Sequence, residues 1–225
     1  MSKKIHLTYP PETLKDAWRF YRLKKVAEIL TKNCHGLLLD IGCNDCLIMK
    51  FIPKERFKYL GIDLSRQALR KGRPHQRILT DACNLPFPDK CIDAVSCFEI
   101  IEHLQEPHQL MKEITRVLKP NGKLLVSTPN QQSLFLKIQN TVHLPRFHDW
   151  RYIETHYQTF TPQTLDSLLR QYGFEITQKI RSIAFPPFKI TKKSNVYKVL
   201  RVLSKAVPED SQELLIRLAM KTELT

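Results

Sequence analysis

Two short apolar stretches each end in small or acidic residues whose spacing suggests a binding site. The first, residues 37–41, leads into Gly42 and Asn44, which both tolerate a left-handed backbone conformation. The second, residues 59–62, ends at Asp63, 21 residues after Gly42. A buried parallel strand that turns into a helix leaves backbone N–H groups facing a ligand. In a βαβ unit, this spacing places the Asp63 carboxylate at the neighbouring strand tip, where it can accept hydrogen bonds from two ribose hydroxyls.

A third stretch, residues 99–103, carries side chains suited to acid–base or metal chemistry. If a helix begins there, Glu99, Glu102 and His103 lie at positions i, i+3 and i+4 and share one face. Two carboxylates and one imidazole on one face can hold a divalent metal, and Glu102 and His103 can also act as acid or base. The alternative is that these residues only cap and pack a helix.

The surrounding sequence alternates between predicted strands and predicted helices. Apolar runs predict further strands at 77–80, 91–97, 123–128 and 174–178. Helical periodicity and end signals predict helices at 12–30, 47–52, 65–72, 107–118 and 161–173. This alternation is typical of an α/β protein with a doubly wound, mostly parallel sheet and helices on both faces.

Five short motifs resemble those of class I S-adenosylmethionine (SAM) methyltransferases, in the order and at the spacing of that family. They are Asp40-Ile41-Gly42-Cys43-Asn44-Asp45, Gly61-Ile62-Asp63, Asp81-Ala82, Ile92-Asp93-Ala94-Val95 and Leu118-Lys119-Pro120-Asn121-Gly122. The resemblance covers residues 35–178 and implies a Rossmann-like fold with SAM as the cofactor. The antiparallel seventh strand that is usual in the family cannot be placed from the sequence.

The resemblance also implies which residues bind the cofactor. They are Asp40, Gly42, Asn44, Asp63, Leu64, Asp81, Ala82, Cys97 and Phe98. By this resemblance, Asp40, Gly42 and Asn44 bind the methionine end of SAM, Asp63 binds the ribose and Asp81 binds the adenine. Cys97 and Phe98 line the floor of the site. Asn44 and Cys46 stand where the family more often has glycine, and the Cys46 side chain is expected either to narrow the loop or to mark a weakened site.

The sequence Glu99-x-x-Glu102-His103, with His156 ahead of Phe160 and Thr161, resembles the metal-binding arrangement of the small-RNA 3′-terminal 2′-O-methyltransferases. Similar residues occur in the O-methyltransferases of ubiquinone biosynthesis. The resemblance implies Glu99, Glu102, His103 and His156 as ligands of Mg²⁺ or another divalent metal, and Glu102, His103 and His156 as catalytic residues. In both families the acceptor has neighbouring hydroxyls, and a metal chelated by both oxygens would lower the hydroxyl pKa.

These features favour SAM-dependent O-methylation of a small-molecule, saccharide or lipid-linked acceptor. One alternative is an RNA 2′-O-methyltransferase, because a net charge of +14 favours an anionic partner, although no RNA-binding motif or aromatic–basic platform is visible. Another alternative is a SAM-binding partner without catalytic activity, suggested by Cys46. A dehydrogenase is unfavourable because residues 42–47 break the Gly-x-Gly-x-x-Gly rule.

The predicted organisation is an N-terminal helical cap at 1–34, a SAM-binding core at 35–180 and a basic C-terminal helical extension at 181–225. Within the core, residues 131–158 form an acceptor-side insertion. In the extension, residues 181–207 carry seven basic residues and no acid. This segment is expected to be a helix, either packed on the domain or lying on a membrane surface as a peripheral contact.

The remaining composition bears on the compartment. No apolar run is long enough for a transmembrane helix, and the start of the sequence lacks the apolar segment of a signal peptide. Six cysteines fall mostly in predicted strands and in the glycine loop, which predicts reduced thiols and a cytoplasmic protein. Cys43-x-x-Cys46 looks like half of a zinc site, but the other cysteines offer no matching pair. The sequence does not predict the oligomeric state.

Overall fold

A computed structural model describes residues 15–71, 76–133, 156–180 and 214–222, and its strands form one seven-stranded sheet. The strands are Gly36–Ile41 (β1), Phe57–Asp63 (β2), Arg77–Leu79 (β3), Ile92–Phe98 (β4), Leu118–Pro129 (β5), Phe174–Ile180 (β6) and Leu214–Lys221 (β7). Their order in the sheet is β3-β2-β1-β4-β5-β7-β6. Strands β1 to β5 are parallel, and β7 is antiparallel to both β5 and β6.

Four α-helices accompany these strands in the described part of the chain. They are Lys15–Asn33 (α1), Arg66–Lys71 (α2), Pro107–Val117 (α3) and Pro162–Gln171 (α4). The predicted start of α4 is confirmed, because the Thr161 side chain accepts a hydrogen bond from the Thr164 backbone N–H and Pro162 occupies the first turn. No helix within the described residues is long and apolar enough to cross a membrane.

The two faces of the sheet carry separate apolar clusters, which confirms the prediction of helices on both faces. Leu38 packs in the cluster that contains Leu30 of α1, whereas the next residue, Leu39, packs in the cluster that contains Leu110 of α3 and Leu165 of α4. Successive side chains of a strand point to opposite faces, so β1 is buried on both sides. This burial explains its apolar run Leu37-Leu38-Leu39.

The helix predicted at 47–52 is wrong, and the helix considered for 99–103 does not form either. The segment at 47–52 contains only a 3-10 helix, Leu47–Lys50, which follows the left-handed Cys46 and ends before Pro53. The segment at 98–104 contains only the 3-10 helix Ile101–His103, since Leu104 is extended.

Strand β7 corrects the prediction of a C-terminal helical extension at 181–225. Residues 214–221 instead complete the sheet between β5 and β6, and six of them in a row, 214–219, are buried. The sheet therefore includes these residues as well as the predicted core at 35–180. The predicted helix at 181–207 and most of the insertion, residues 134–155, lie outside the described residues.

Candidate active site

The loop that follows β1 has a left-handed backbone at alternate positions. Gly42, Asn44 and Cys46 have φ angles of 71°, 50° and 56°. A Cβ added at Gly42 would overlap the Ile100 side chain, so this position requires glycine. Asn44 and Cys46 thus keep a backbone conformation that glycine adopts most easily, and the Cys46 side chain is 3% exposed, packed in the core. This placement gives no support to the expectation that Cys46 narrows the loop.

Asp63, at the end of β2, is tied to this loop by hydrogen bonds. Its Oδ2 accepts from the Asn44 N–H at 2.9 Å, and its Oδ1 accepts from the Ser65 N–H at 2.8 Å. The N–H groups of Gly42 and Cys43 donate to the Ile62 carbonyl, both at 2.9 Å, so the two strand tips are adjacent. A carboxylate offers about four acceptor positions, so each Asp63 oxygen can also accept a ribose hydroxyl.

Beyond Asp63, the predicted adenine side of the site is open to solvent. Leu64 is 70% exposed, Asp81 is exposed and Ala82 is half-buried. The Asp81 Oδ1 accepts a hydrogen bond from the Cys83 N–H at 2.8 Å, which orients the carboxylate. An exposed apolar side chain directly after a strand-end carboxylate suits a purine with its ribose. The residues present here therefore fit the nucleoside part of SAM.

Two predicted cofactor residues, Asp40 and Cys97, are buried beneath the site instead of lining it. Asp40 accepts hydrogen bonds from the Tyr59 hydroxyl at 2.7 Å and from the Ser96 hydroxyl. Burial raises the pKa of Asp40 to about 6, although these hydrogen bonds oppose the rise. Cys97 is fully buried in the core, whereas Phe98 is half-buried at the end of β4. Asp40 thus joins β1 to Tyr59 of β2 and Ser96 of β4, and Cys97 belongs to the core.

Three of the four predicted metal ligands meet at the end of β4. Ligand atoms of Glu102, His103 and His156 all lie within 4.8 Å of one another, and the two imidazole rings meet edge to face. The N–H groups of Tyr157 and Gln158 donate to the Glu102 carbonyl at 2.9 and 3.1 Å. These backbone bonds hold the segment that carries His156 against β4.

Glu99 does not belong to this cluster. Its backbone has a φ of 54°, and its carboxylate forms an ion pair with Arg22 of α1. The prediction that Glu99 shares a helix face with Glu102 and His103 is therefore wrong, because the 3-10 helix begins only at Ile101.

The two ends of the acceptor-side insertion come together beside the cluster. Asn130, which follows β5, forms a parallel bridge with Phe160, and the Gln131 N–H donates to the Phe160 carbonyl at 3.0 Å. The chain therefore leaves the sheet at Asn130 and returns to the same place, which brings His156 next to the strand ends.

The Glu102 carboxyl group lies in an unusual environment. It is 2% exposed, and burial, followed by the negative charge of Glu99, raises the pKa of Glu102 to about 8. Its Oε2 has no hydrogen-bond partner among the described residues. A buried carboxyl oxygen without a partner, next to two imidazoles, is a donor set that fits a divalent cation.

Arg22 is a site residue that the sequence analysis missed. It joins α1 to the end of β4 through Glu99, with about a quarter of each side chain exposed (25% and 22%). This ion pair is one residue away from Ile100, which covers Gly42. In the sequence, Arg22 is only one of several cations along α1, so no local signal distinguishes it.

Comparison with known proteins agrees with this arrangement. Residues 13–179 match the family model described as a methyltransferase domain. The ubiquinone biosynthesis O-methyltransferase of Alkalilimnicola ehrlichii is 26% identical over 195 residues, which cover 78% of this chain and 76% of that protein. A "Probable S-adenosylmethionine-dependent methyltransferase" of Mycolicibacterium smegmatis is 30% identical over 126 residues, which cover 54% of this chain and 49% of that relative.

Solved structures show the same fold at lower identity. A SAM-dependent methyltransferase from Archaeoglobus fulgidus has a TM-score of 0.60 and 20% identity, with 91% of this chain and 94% of that chain covered. The [4+2]-cyclase SpnF has a TM-score of 0.63 and 20% identity, with 89% and 81% covered. Because one of these proteins is a cyclase, the fold alone does not identify the reaction. The family match over most of the chain does: this protein belongs to the SAM-dependent methyltransferases of Rossmann-like fold.

Proposed function

We propose that this methyltransferase methylates a hydroxyl oxygen of a small-molecule acceptor, which includes saccharide and lipid-linked compounds. The observation that carries the proposal is the buried Glu102 carboxyl, whose Oε2 lacks a partner beside the imidazoles of His103 and His156. Such a cluster is suited to orient a hydroxyl and to remove its proton. A relative named as an O-methyltransferase is consistent with an oxygen acceptor.

The methionine end of SAM would be held by Arg22 and Glu99. This end carries an ammonium and a carboxylate, and the ion pair of α1 with the β4 end offers one charge of each sign. Arg22 would bind the carboxylate and Glu99 the ammonium, so each side chain exchanges one ionic partner for another. Asp63 would bind the ribose hydroxyls.

Bound SAM supplies a methyl group on a positively charged sulfur that is a good leaving group. The protein's part is to align the acceptor oxygen and to accept its proton. With a pKa of about 8, Glu102 holds a proton at neutral pH and becomes a base as the pH rises or as a cation approaches. His103 and His156 lie close enough to share the proton.

The same three side chains fit a divalent metal. Mg²⁺ or a similar ion would be held by Glu102, His103 and His156, without Glu99, and would lower the pKa of a bound hydroxyl. The pairing of Glu99 with Arg22 explains why this ligand set is smaller than the four residues expected from the sequence.

A second candidate is methylation of an RNA 2′-hydroxyl, and the net charge of +14 favours it. The two functions differ in their response to salt, because phosphate contacts release counterions. RNA affinity that falls steeply between low and physiological salt would favour the second candidate. RNA affinity that is weak at all salt concentrations would favour the small-molecule acceptor.

The test is Glu102→Gln in an assay that follows SAM conversion with a panel of hydroxylated acceptors. We expect kcat/KM to fall by about a hundredfold or more, while SAM affinity changes little. Glu106→Gln, in an exposed residue of the same segment, is the matched control and should keep full activity. Equal activity of the Glu102 variant would contradict the proposal. Activity that a chelator abolishes and Mg²⁺ restores would support the metal, and activity unchanged by the chelator would dismiss it.

A further inference from the structure

Two thiols of the glycine loop, Cys43 and Cys46, have no part in the function described above. In the sequence they look like half of a zinc site. The described ranges contain only one group of three metal-binding side chains, Glu102, His103 and His156, so no companion ligands for zinc surround the two thiols. Both cysteines are buried, with 6% and 3% exposed, and neither is in a disulfide.

The two residues close one tight turn. The Cys46 N–H donates to the Cys43 carbonyl at 2.8 Å, which is the pairing of a β-turn, and the ends of such a turn lie within about 7 Å of each other. Disulfides span Cα separations of about 4.4–6.8 Å, so the turn brings the two residues to a suitable distance. The Cys43 thiol donates a hydrogen bond to the Asn44 carbonyl inside the turn at 3.8 Å. Its interaction with Cys46 lowers the pKa of Cys46 and raises that of Cys43.

Closing a bond between these sulfurs would act on the SAM site. The sulfurs must approach to about 2.05 Å, so both cysteine side chains must move toward each other. Cys43 packs closely over Gly61, where even an added Cβ would lie 2.7 Å from its sulfur, so Cys43 has little room to move sideways. Asn44, inside the turn, donates its N–H to the Asp63 Oδ2 at 2.9 Å. Because Cys43 cannot move sideways, the adjoining loop backbone must shift, which would strain the contact that joins the loop to the ribose-binding carboxylate.

We propose that Cys43 and Cys46 are a redox modification site, at which a reversible disulfide weakens SAM binding. The affinity effect rests on the proposed SAM contacts of the loop and Asp63, whereas the formation of the disulfide does not.

The chemistry balances with hydrogen peroxide as the two-electron oxidant. The Cys46 thiolate attacks one peroxide oxygen, the O–O bond breaks, and the departing hydroxide takes up a proton as water, which leaves a sulfenic acid. The Cys43 sulfur then attacks the Cys46 sulfur, the S–O bond breaks and a second water leaves. Two thiols lose two electrons and the peroxide becomes two waters. A small oxidant suits two buried thiols, and their closeness in one turn favours the disulfide over further oxidation.

The experiment uses the full chain with the half-buried Cys83 and Cys91 changed to serine, so that only buried thiols remain. After peroxide treatment we expect a mass loss of about 2 Da, and peptide mapping should join Cys43 to Cys46. Calorimetry with SAM should then show affinity at least about tenfold weaker than in the reduced protein, with full recovery in dithiothreitol. The matched control carries Cys43→Ser in addition to the changes at Cys83 and Cys91, and its SAM affinity should not respond to peroxide.

Two results would overturn the proposal. One is the absence of a Cys43–Cys46 bond at peroxide concentrations that oxidise Cys83 and Cys91 in the unmodified chain. The other is a disulfide that forms but leaves SAM affinity unchanged. If the reduced protein fails to bind SAM, the cofactor contacts are wrong, and the mass measurement still decides whether the disulfide forms. The mass measurement uses the protein that keeps Cys43, so misfolding of the Cys43→Ser control does not affect it.

Discussion

The sheet has a cofactor half, β1 to β3, and an acceptor half, β4 to β7. The two halves differ in how far apart along the chain their contacting residues lie. In the cofactor half, Asn44 and Asp63 are in contact across 19 residues of sequence. In the acceptor half, Asp166 and Arg217 are in contact across 51 residues. The comparison teaches that the ribose side of the proposed SAM site lies within one local unit, whereas the acceptor half depends on segments that are distant in sequence.

The largest effect is expected from breaking the long-range contact of the acceptor half. Asp166 accepts hydrogen bonds from Arg217 at 2.6 Å and forms an ion pair with Lys179 at 2.9 Å, and Arg217 is 1% exposed. Burial opposes the ionisation of Asp166, but these cations outweigh it and hold its pKa below the usual value. Asp166→Ala leaves a buried charge, so we expect a loss of about 3–5 kcal/mol in the free energy of unfolding, measured with urea.

Two further variants sharpen this prediction. Asp166→Ala combined with Arg217→Leu removes both charges and should recover part of the loss. Glu175→Ala, at an exposed residue of β6, should change stability by no more than about 0.5 kcal/mol. A loss below about 1 kcal/mol in Asp166→Ala would show that this contact does not hold the acceptor half together.

The next effect concerns binding in the cofactor half. Asp63→Ala removes the acceptor of the Asn44 and Ser65 N–H groups and the proposed ribose ligand. We expect SAM affinity to fall about a hundredfold, measured by calorimetry, because about 2.7 kcal/mol of charge-assisted hydrogen bonding is lost. Asp81→Ala is the control, and loss of its exposed carboxylate should lower SAM affinity by less than about tenfold. Unchanged affinity in Asp63→Ala would contradict the ribose assignment.

A smaller effect tests the acceptor cluster through pH. The carboxyl of Glu102 has its pKa raised from 4.5 to about 8 in the folded protein. At a pH below 4.5, Glu102 is protonated in both the folded and the unfolded protein. As the pH rises, Glu102 ionises first in the unfolded chain, so the folded state loses stability until the pH passes about 8. Glu102→Gln cannot ionise. Its stability relative to the unmodified protein should therefore rise by about 2 kcal/mol between about pH 5.5 and about pH 7.

Denaturation curves at the two pH values measure this change. A pH-independent difference between the two proteins would mean that Glu102 titrates normally. The same curves for Glu106→Gln supply the baseline, because that side chain is exposed.

The smallest effect concerns the backbone of the glycine loop. Asn44 has a φ of 50°, which asparagine tolerates better than alanine. Asn44→Ala should lose about 1 kcal/mol of stability in urea unfolding, whereas Asn44→Gly should stay within about 0.5 kcal/mol of the unmodified protein. Equal stability of all three would mean that the left-handed angle at this position carries no strain.

The same contrast explains what the sequence could predict. The spacing of Gly42 and Asp63 correctly predicted that the two strand tips are adjacent, because the connection between two neighbouring parallel strands has a nearly fixed length. The start of α4 at Thr161-Pro162 was predicted correctly because helix caps depend on adjacent residues. Fold class and family followed from such local patterns.

The acceptor half was harder to predict for physical reasons. Strand β7 contains Arg217, and nothing local shows that this charge is neutralised by Asp166, so the segment did not look like a buried strand. The break before Ile101 depends on the left-handed angle of Glu99, which is held by its pairing with Arg22 and Ser127. His156 was expected beside Glu102 and His103 only because a known family shares the pattern, and the pairing of Arg22 with Glu99 could be seen only in the folded structure.

The position of β7 also affects how the protein is made. The ribosome synthesises residues 214–221 after β5 and β6, yet these residues lie between those two strands, and β6 pairs with no other strand in the described sheet. Until they emerge, the nascent chain exposes the outer edge of β5, and such an edge is a template for aggregation. Slow translation or early termination near this segment would therefore make the chain depend on chaperones, even with its SAM loop already formed.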